Sequence, residues 1–369
     1  MNSVDRPIHL PLYVRIVIVI IGLIGVGFIL QIGKSVIIPF LFALLLAILL
    51  NPAVKRLQSA GWNRLLAIAL VVVGAMVLLG GVAYFTADQA MRFLGSMDGF
   101  KENLIGLGNG VKAWIQGKLD VPREQMDAIE GTVLEQGEAK GTAVVKNTIT
   151  TIGALFAFFF LLPVYTFLFI IYERFLLGFI AHLFPEGKHD TVGEVLTSSQ
   201  VVIRSYLLGL LLEAGIVAVL NVAGLWVLGV PYALLLGVLG ALLNMVPYIG
   251  GLIATGLAMM VALATMEPYA ALWVLLLFLA VQFVDNNFIV PRIVASRVRV
   301  NALVAFVVVI WGGAFWGVPG MFLALPFTAI IKVICDRIPG LEPLGYLLGD
   351  EVSMAAGGFL ESRSAQAKM

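Results

Sequence analysis

The sequence predicts an all-α polytopic membrane protein with about six full transmembrane helices, two broken helical hairpins and a solvated helical insertion. Three observations predict it. Hydrophobic residues make up 61% of the 369 and charged residues only 12%, with a mean hydropathy of +1.03, whereas soluble domains hold roughly 45–50% apolar and about 25% charged residues. The apolar residues gather into runs divided by polar links. Two further apolar segments are interrupted in their middles by glycine and proline. A net charge of +1 offers no footprint for nucleic acid. The single cysteine, Cys335, excludes an intramolecular disulfide and a Cys-rich metal site and reads as a small apolar filler near a helix end.

Taken in order, the runs are Ile16 to Leu30, Val36 to Leu50, Leu65 to Phe85, Ile152 to Tyr172, Val201 to Val227 and Ala270 to Val284. Several fall short of the roughly 20 residues that cross a ~30 Å core and extend into their flanks. Arg6 and Arg15 precede the first run, and no small-x-small cleavage pattern follows it, so it is expected to stay as a span. Gly33-Lys34-Ser35 leaves room only for a tight turn, which makes the first two spans an antiparallel hairpin. Pro39 suits a first helical turn.

Between Thr86 and Asn147 the chain turns polar. Met91, Leu94, Leu104, Trp114 and Ile115 recur there at loosely helical spacing, as in amphipathic helices lying on a membrane or on neighbouring protomers. Glu173 to Gln200 reads as a second solvated connection, with His182 and His189 as surface histidines rather than metal ligands. Tyr232 to Thr265 and Ala302 to Ile334 are broken at Pro247-Tyr248-Ile249-Gly250-Gly251 and at Gly317-Val318-Pro319-Gly320. Halves of about 15 residues reach roughly 22 Å, short of a full crossing, so helical hairpins that enter and leave by one face are expected, with pairs of short spans as the alternative. The resulting units are N-terminal transmembrane helices (1–85), an extracytoplasmic helical insertion (86–147), a transmembrane helix with its cytoplasmic connection (148–200), a transport core (201–338) and a cytoplasmic tail (339–369).

Sidedness is set by the basic residues. With both termini in the cytoplasm, fifteen of the 23 Lys and Arg fall inside, only Lys34 lies in a short outer connection, and the other seven sit in the long insertion, where charge counts for little. The core then divides into two span-plus-hairpin units of opposite direction, Val201 to Thr265 and Ala270 to Ile334. Paired Gly/Pro-interrupted segments of this kind occur in inverted-repeat transporters, whose site lies where the units meet.

The polar interruptions are the candidate solute or ion pathway: Arg204, Glu213, Asn221, Asn244, Pro247, Tyr248, Gly250, Gly251, Gln282, Asp285, Asn286, Asn287, Arg292, Gly317, Pro319 and Gly320. Unpaired polar groups in hydrocarbon cost several kcal/mol, so these residues should face protein or a water-filled cavity. Glu213 lies nine residues beyond Arg204, roughly 13 Å along the helix. An ionised carboxylate at such depth costs roughly 3 kcal/mol on insertion scales, and a carboxyl that exchanges a proton with its surroundings is a natural coupling element; the alternative is a structural carboxyl bonded to a neighbouring helix. Asp285-Asn286-Asn287 ends the second span, either as carbonyl ligands for a hard cation or hydroxylated solute or as a polar helix end stopped by Pro291. For Asn221, packing against an adjacent helix is the plainer reading. The hairpin glycines let backbones approach closely. Nothing supports an enzyme, a cofactor or a metal centre: the sequence has no phosphate loop, nucleophile elbow, zinc motif or intramembrane histidine.

SYLLGLLLEAGIVAVLNVAGLWVLGVPYALLLGVLGALLNMVPYIGG, the later VQFVDNNFIVPRIV and WGGAFWGVPGMFLALPFTAIIKV resemble the autoinducer-2 exporter family of bacterial membrane proteins over roughly Tyr206 to Val333. The resemblance places the family's Gly-Val-Pro-Tyr on Gly229 to Tyr232, its Pro-Tyr-Ile-Gly on Pro247 to Gly250, and its Asp-Asn and Pro-Arg on Asp285, Asn286, Pro291 and Arg292. Gly209-Leu210, Gly251 and Asn301-Ala302 depart from the family's usual Gly-Gln, proline and His-Pro. The resemblance implies a multi-pass inner-membrane transporter with cytoplasmic termini, built as a homo-oligomer, expected to be a pentamer. Its members are assigned to autoinducer-2 export or to sodium/proton antiport. The leading expectation is a secondary transporter exporting a small polar solute under proton coupling. The alternatives are a sodium or lithium/proton antiporter and, from another class, an oligomeric channel or membrane scaffold.

Overall fold

A computed structural model describes residues 11–95, 158–246, 249–295, 300–338 and 340–349. The expectations for Leu104, Trp114, Ile115, Pro247, Tyr248 and the tail from Asp350 lie outside the described residues. Within them the chain is helical, and the only β pairing is an isolated bridge between Val300 and Gly349. Helix is the form that satisfies every backbone group internally in lipid.

The first three helices are α1 (Leu12–Ile32), α2 (Lys34–Ser59) and α3 (Arg64–Gly95). Gly33 links the first two at near-helical φ −80° and ψ 4°, and α1 makes sparse contact with α2. The first two helices therefore do not lie side by side as the expected antiparallel hairpin, and Ile18, Leu23, Phe28 and Ile32 are exposed. α3 runs on to Gly95, ten residues past the apolar run, because Thr86 to Leu94 contains no glycine or proline and its Asp88–Arg92 pair at 2.9 Å is a favourable i,i+4 spacing.

A fourth helix, α4 (Phe158–Ile171), meets α5 (Glu173–His182) at a 67° bend. The bend is held from α2 and α3. Arg64 donates to the carbonyls of Ile170 and Ile171 at the end of α4, while Asn51 and Lys55 engage Glu173 in the first turn of α5. The segment expected as a solvated connection is thus largely helical: α5, then a short turn at Glu186–Lys188, then α6 (His189–Val227), a 39-residue helix.

The core comes next: α7 (Ala233–Asn244) and α8 (Ile249–Thr265) form the first broken pair, α9 (Tyr269–Val284) the second span, and α10 (Ala302–Trp316) with α11 (Val318–Arg337) the second broken pair; α12 (Glu342–Leu348) closes the described chain. Both predicted breaks are present. The halves are unequal, at 12 and 17 residues in the first pair and 15 and 20 in the second. Among the described residues, five helical segments are long and apolar enough to cross a membrane, or six with α4 and α5 as one bent span. α11 is among them, whereas the apolar part of α1, Val17–Ile32, is among the shorter helices.

The chain does not end a helix at Asp285. Two π-helical turns, Asp285–Ile289 and Pro291–Ala295, continue α9. Pro291 has no N–H to donate and would clash in a regular α turn, and widened turns accommodate such positions and recur at functional sites.

α7 returns along α6, and α8 packs on α9. Their core holds Leu225, Leu236, Ala254, Ala258, Val274 and Phe278. α11 returns along the N-terminal half of α6, with Leu323 against Leu45, Ile203, Tyr206 and Leu210. The two expected units are not equivalent in packing: α7 lies along α6 for its length, whereas α10 has no comparable contact with α9.

Candidate functional site

The buried face of α6 carries Tyr206, Leu210, Glu213, Val217, Asn221 and Leu225, three or four residues apart and hence one above another. Three polar side chains sit on this stripe. Glu213 is 6% exposed and Asn221 2% exposed. Opposite them, the first π turn turns Asp285 inward, 2% exposed, and Glu213 and Asp285 lie near enough for their charges to interact.

The first hairpin completes the site. Asn244, the last residue of α7, donates its amide to Asp285 Oδ2 at 2.9 Å. α8 begins beside it, and a Cβ on Gly250 would run into the carbonyl of Leu243, so the tight approach of α8 to the end of α7 requires glycine there. Gly251 is placed against the side-chain oxygens of Gln282 and Asn244. A narrow cavity with room for about one water lies among Asn221, Gly240, Asn244, Gly251, Gln282 and Asp285, with Val217, Ala254, Phe278 and Val281 as apolar walls. Two buried acceptors, Asn221 Oδ1 and Asp285 Oδ1, have no hydrogen-bond partner among the described residues. Most buried polar atoms are paired, whereas each of these two oxygens has a lone pair left to accept a hydrogen bond or to ligate a cation.

The structure therefore brings Glu213, Asn221, Asn244, Gly250, Gly251, Gln282 and Asp285 together, while Pro247 and Tyr248 lie outside the described residues. It does not gather the Asp285-Asn286-Asn287 triplet. Asn286 and Asn287 are exposed; Asn286 accepts from Gln282 at 3.2 Å and Asn287 donates to the Phe283 carbonyl at 2.8 Å. Successive residues on a helical turn point in different directions, so the triplet is not a ligand set.

The second hairpin does not line the cavity. Gly317 makes its turn at φ 65° and ψ −145°, Pro319 starts α11, and the backbones of Gly312 and Gly320 cross closely. Trp316 at this tip and Met245 at the other both pack on the cluster that holds Leu45, Tyr206, Leu210 and Leu323. Arg204 and Arg292 are also apart from the cavity, sharing a groove on another face of α6.

Sequence reading passed over Tyr206 and Trp316. Tyr206 carried a usable signal, since it precedes Glu213 by seven residues on one face. The buried indole N–H of Trp316, without a partner among the described residues, carried none.

The fold and site define a multi-pass α-helical membrane protein with a polar cavity at the break of a hairpin. Residues 16–340 match the model of the AI-2E family transporters, and the chain belongs to that family. It is 24% identical over 344 residues to a Bacillus subtilis protein named "Putative transport protein YrrI", covering 89% of this chain and 96% of that one. It is 27% identical over 348 residues to the "AI-2 transport protein TqsA" of Escherichia coli, covering 92% and 96%. A Mycobacterium tuberculosis relative, "Putative transport protein MT0215", is 28% identical over 334 residues, covering 89% and 90%.

Proposed function

We propose that this protein is a secondary transporter of the bacterial inner membrane, with both termini cytoplasmic, that exports a small hydroxyl-bearing solute and couples its movement to protons at Asp285 and Glu213. The observation that carries this reading is the pair of unpartnered acceptors, Asn221 Oδ1 and Asp285 Oδ1, in a cavity closed by the Asn244–Asp285 bond. A solute with two hydroxyls donates one hydrogen bond to each acceptor, and a proton on Asp285 weakens its claim on the Asn244 amide, which frees the tip of the first hairpin. Autoinducer-2, named for the relative TqsA, is the first solute to test.

Proteoliposomes loaded with a pH dye measure the coupling directly. Addition of a transported solute moves protons in wild-type vesicles. Asp285→Asn abolishes the proton signal, and Glu213→Gln flattens the pH dependence of solute flux. Flux with an unchanged pH profile in both variants would remove the proton role.

A second reading has its own support. The cavity admits one water-sized body, and its lining offers Asn and Gln oxygens with one carboxylate, a donor set suited to a sodium or lithium ion. Sodium- or lithium-driven proton movement in the same vesicles, absent from Asn221→Leu, would favour cation/proton antiport over solute export.

A further inference from the structure

A second groove lies apart from the polar cavity. It lies between α6 and the second π turn and is lined by Val201, Arg204, Ser205, Leu208, Gly209, Leu212, Arg292 and Ile293. We propose that this groove binds a phosphate ester, and that its apolar wall selects one carrying an acyl chain, an anionic phospholipid.

Four features lead there. Two guanidinium-bearing residues and a hydroxyl line one concavity. Guanidinium forks match phosphate oxygens in pairs. Beyond the arginines, the exposed side chains of Leu208 and Leu212 continue the same face of α6, in the way an acyl chain would run from its headgroup. The position suits an interface: α6 is 39 residues long, about 58 Å at 1.5 Å per residue, and Arg204 stands three residues into its apolar part, which begins at Val201.

The groove is distinct from the transport cavity. At about 100° per residue, Arg204, Leu208 and Leu212 point nearly opposite to Glu213, Val217 and Asn221. The π turns supply the other wall. Each extra residue they admit rotates the later part of the helix by about 100° relative to a regular one, and Arg292 comes to lie over α6 while Asp285 faces inward. Basic pockets between transmembrane helices are a general solution for holding phosphate headgroups.

The test uses the full-length protein in nanodiscs of phosphatidylcholine with or without phosphatidylglycerol. Lipid retained through delipidation is counted by native mass spectrometry. Wild type is expected to keep phosphatidylglycerol in preference to phosphatidylcholine. Arg204→Gln/Arg292→Gln should lose that preference by at least about tenfold, or about 1.4 kcal/mol, while the double Lys variant keeps part of it. Should the double Gln variant not assemble, Arg204→Gln alone gives the reading, since Arg204 is exposed. Glycerol 3-phosphate is the second arm: a thermal shift on wild type, lost in Arg204→Gln, together with no lipid preference would assign a soluble phosphate ester and overturn the lipid. A phosphatidylglycerol preference that survives both arginine substitutions, or no preference and no shift in wild type, overturns the site altogether.

Discussion

Asn244 and Asp285 are 41 positions apart in sequence and joined by one hydrogen bond of 2.9 Å, and that bond ties the end of a broken helix to the wall of the cavity. Replacing Asn244 by Leu leaves a buried carboxyl oxygen without its donor, at a cost of about 1–3 kcal/mol. Thermal unfolding of the purified protein should register the loss, and transport should fall because the tip no longer seats against Asp285. A shift in unfolding with unaltered transport would make this bond purely structural. Gly250→Ala acts differently. Its Cβ would meet the Leu243 backbone, which has no side-chain rotamer to yield, so the tip must open. The expected cost is about 1–3 kcal/mol of overpacking, read as a lower unfolding temperature in detergent, whereas Gly256→Ala, whose Cβ would enter open space on a helix, should not lower it.

Among the elements, the helix breaks were legible because glycine and proline interrupt apolar runs that a continuous helix would not interrupt. The π turns were not. Pro291 reads in sequence as a stop, yet packing of Ile289 against Val217, Ala241 and Val281 keeps the segment helical through it, and a backbone hydrogen bond to an i−5 carbonyl leaves no mark in residue type. The polar cluster was readable as a set, since each of Glu213, Asn221, Asn244, Gln282 and Asp285 is expensive in lipid, but which of Asp285, Asn286 and Asn287 faced inward depended on that unseen turn. At the second break, the crossing of Gly312 with Gly320 fixes how close α10 and α11 can lie. Gly320→Val inserts a branched side chain against the Gly312 carbonyl and should destabilise the pair by about 1–3 kcal/mol. Unfolding measurements on the variant check it, and because this pair lies outside the cavity, solute binding by the folded fraction should be retained.

At the scale of the whole molecule, the sequence pattern located the membrane segments and missed how the halves pack, because an inverted repeat predicts equivalent partners and α6 is shared unequally. Its C-terminal half packs with the first hairpin and α9, its N-terminal half with α2 and α11, and Met245 and Trp316 from the two tips pack on that second cluster. A cavity that holds about one water cannot pass a hydroxylated solute unless the first tip draws away from that cluster. Fixing the tip should therefore stop transport. In a Cys335→Ala background, Met245→Cys and Phe322→Cys place one thiol on the first tip and one on α11, at two positions that pack on the cluster holding Leu210 and Leu323. A short reducible bis-thiol reagent bridging them is expected to bring solute flux to background, and reduction to restore it, while either single cysteine treated alike keeps its flux. Undiminished flux through the bridged protein would mean that the solute passes without the hairpins separating, and the polar cavity would then be an ion or proton site rather than the solute's path.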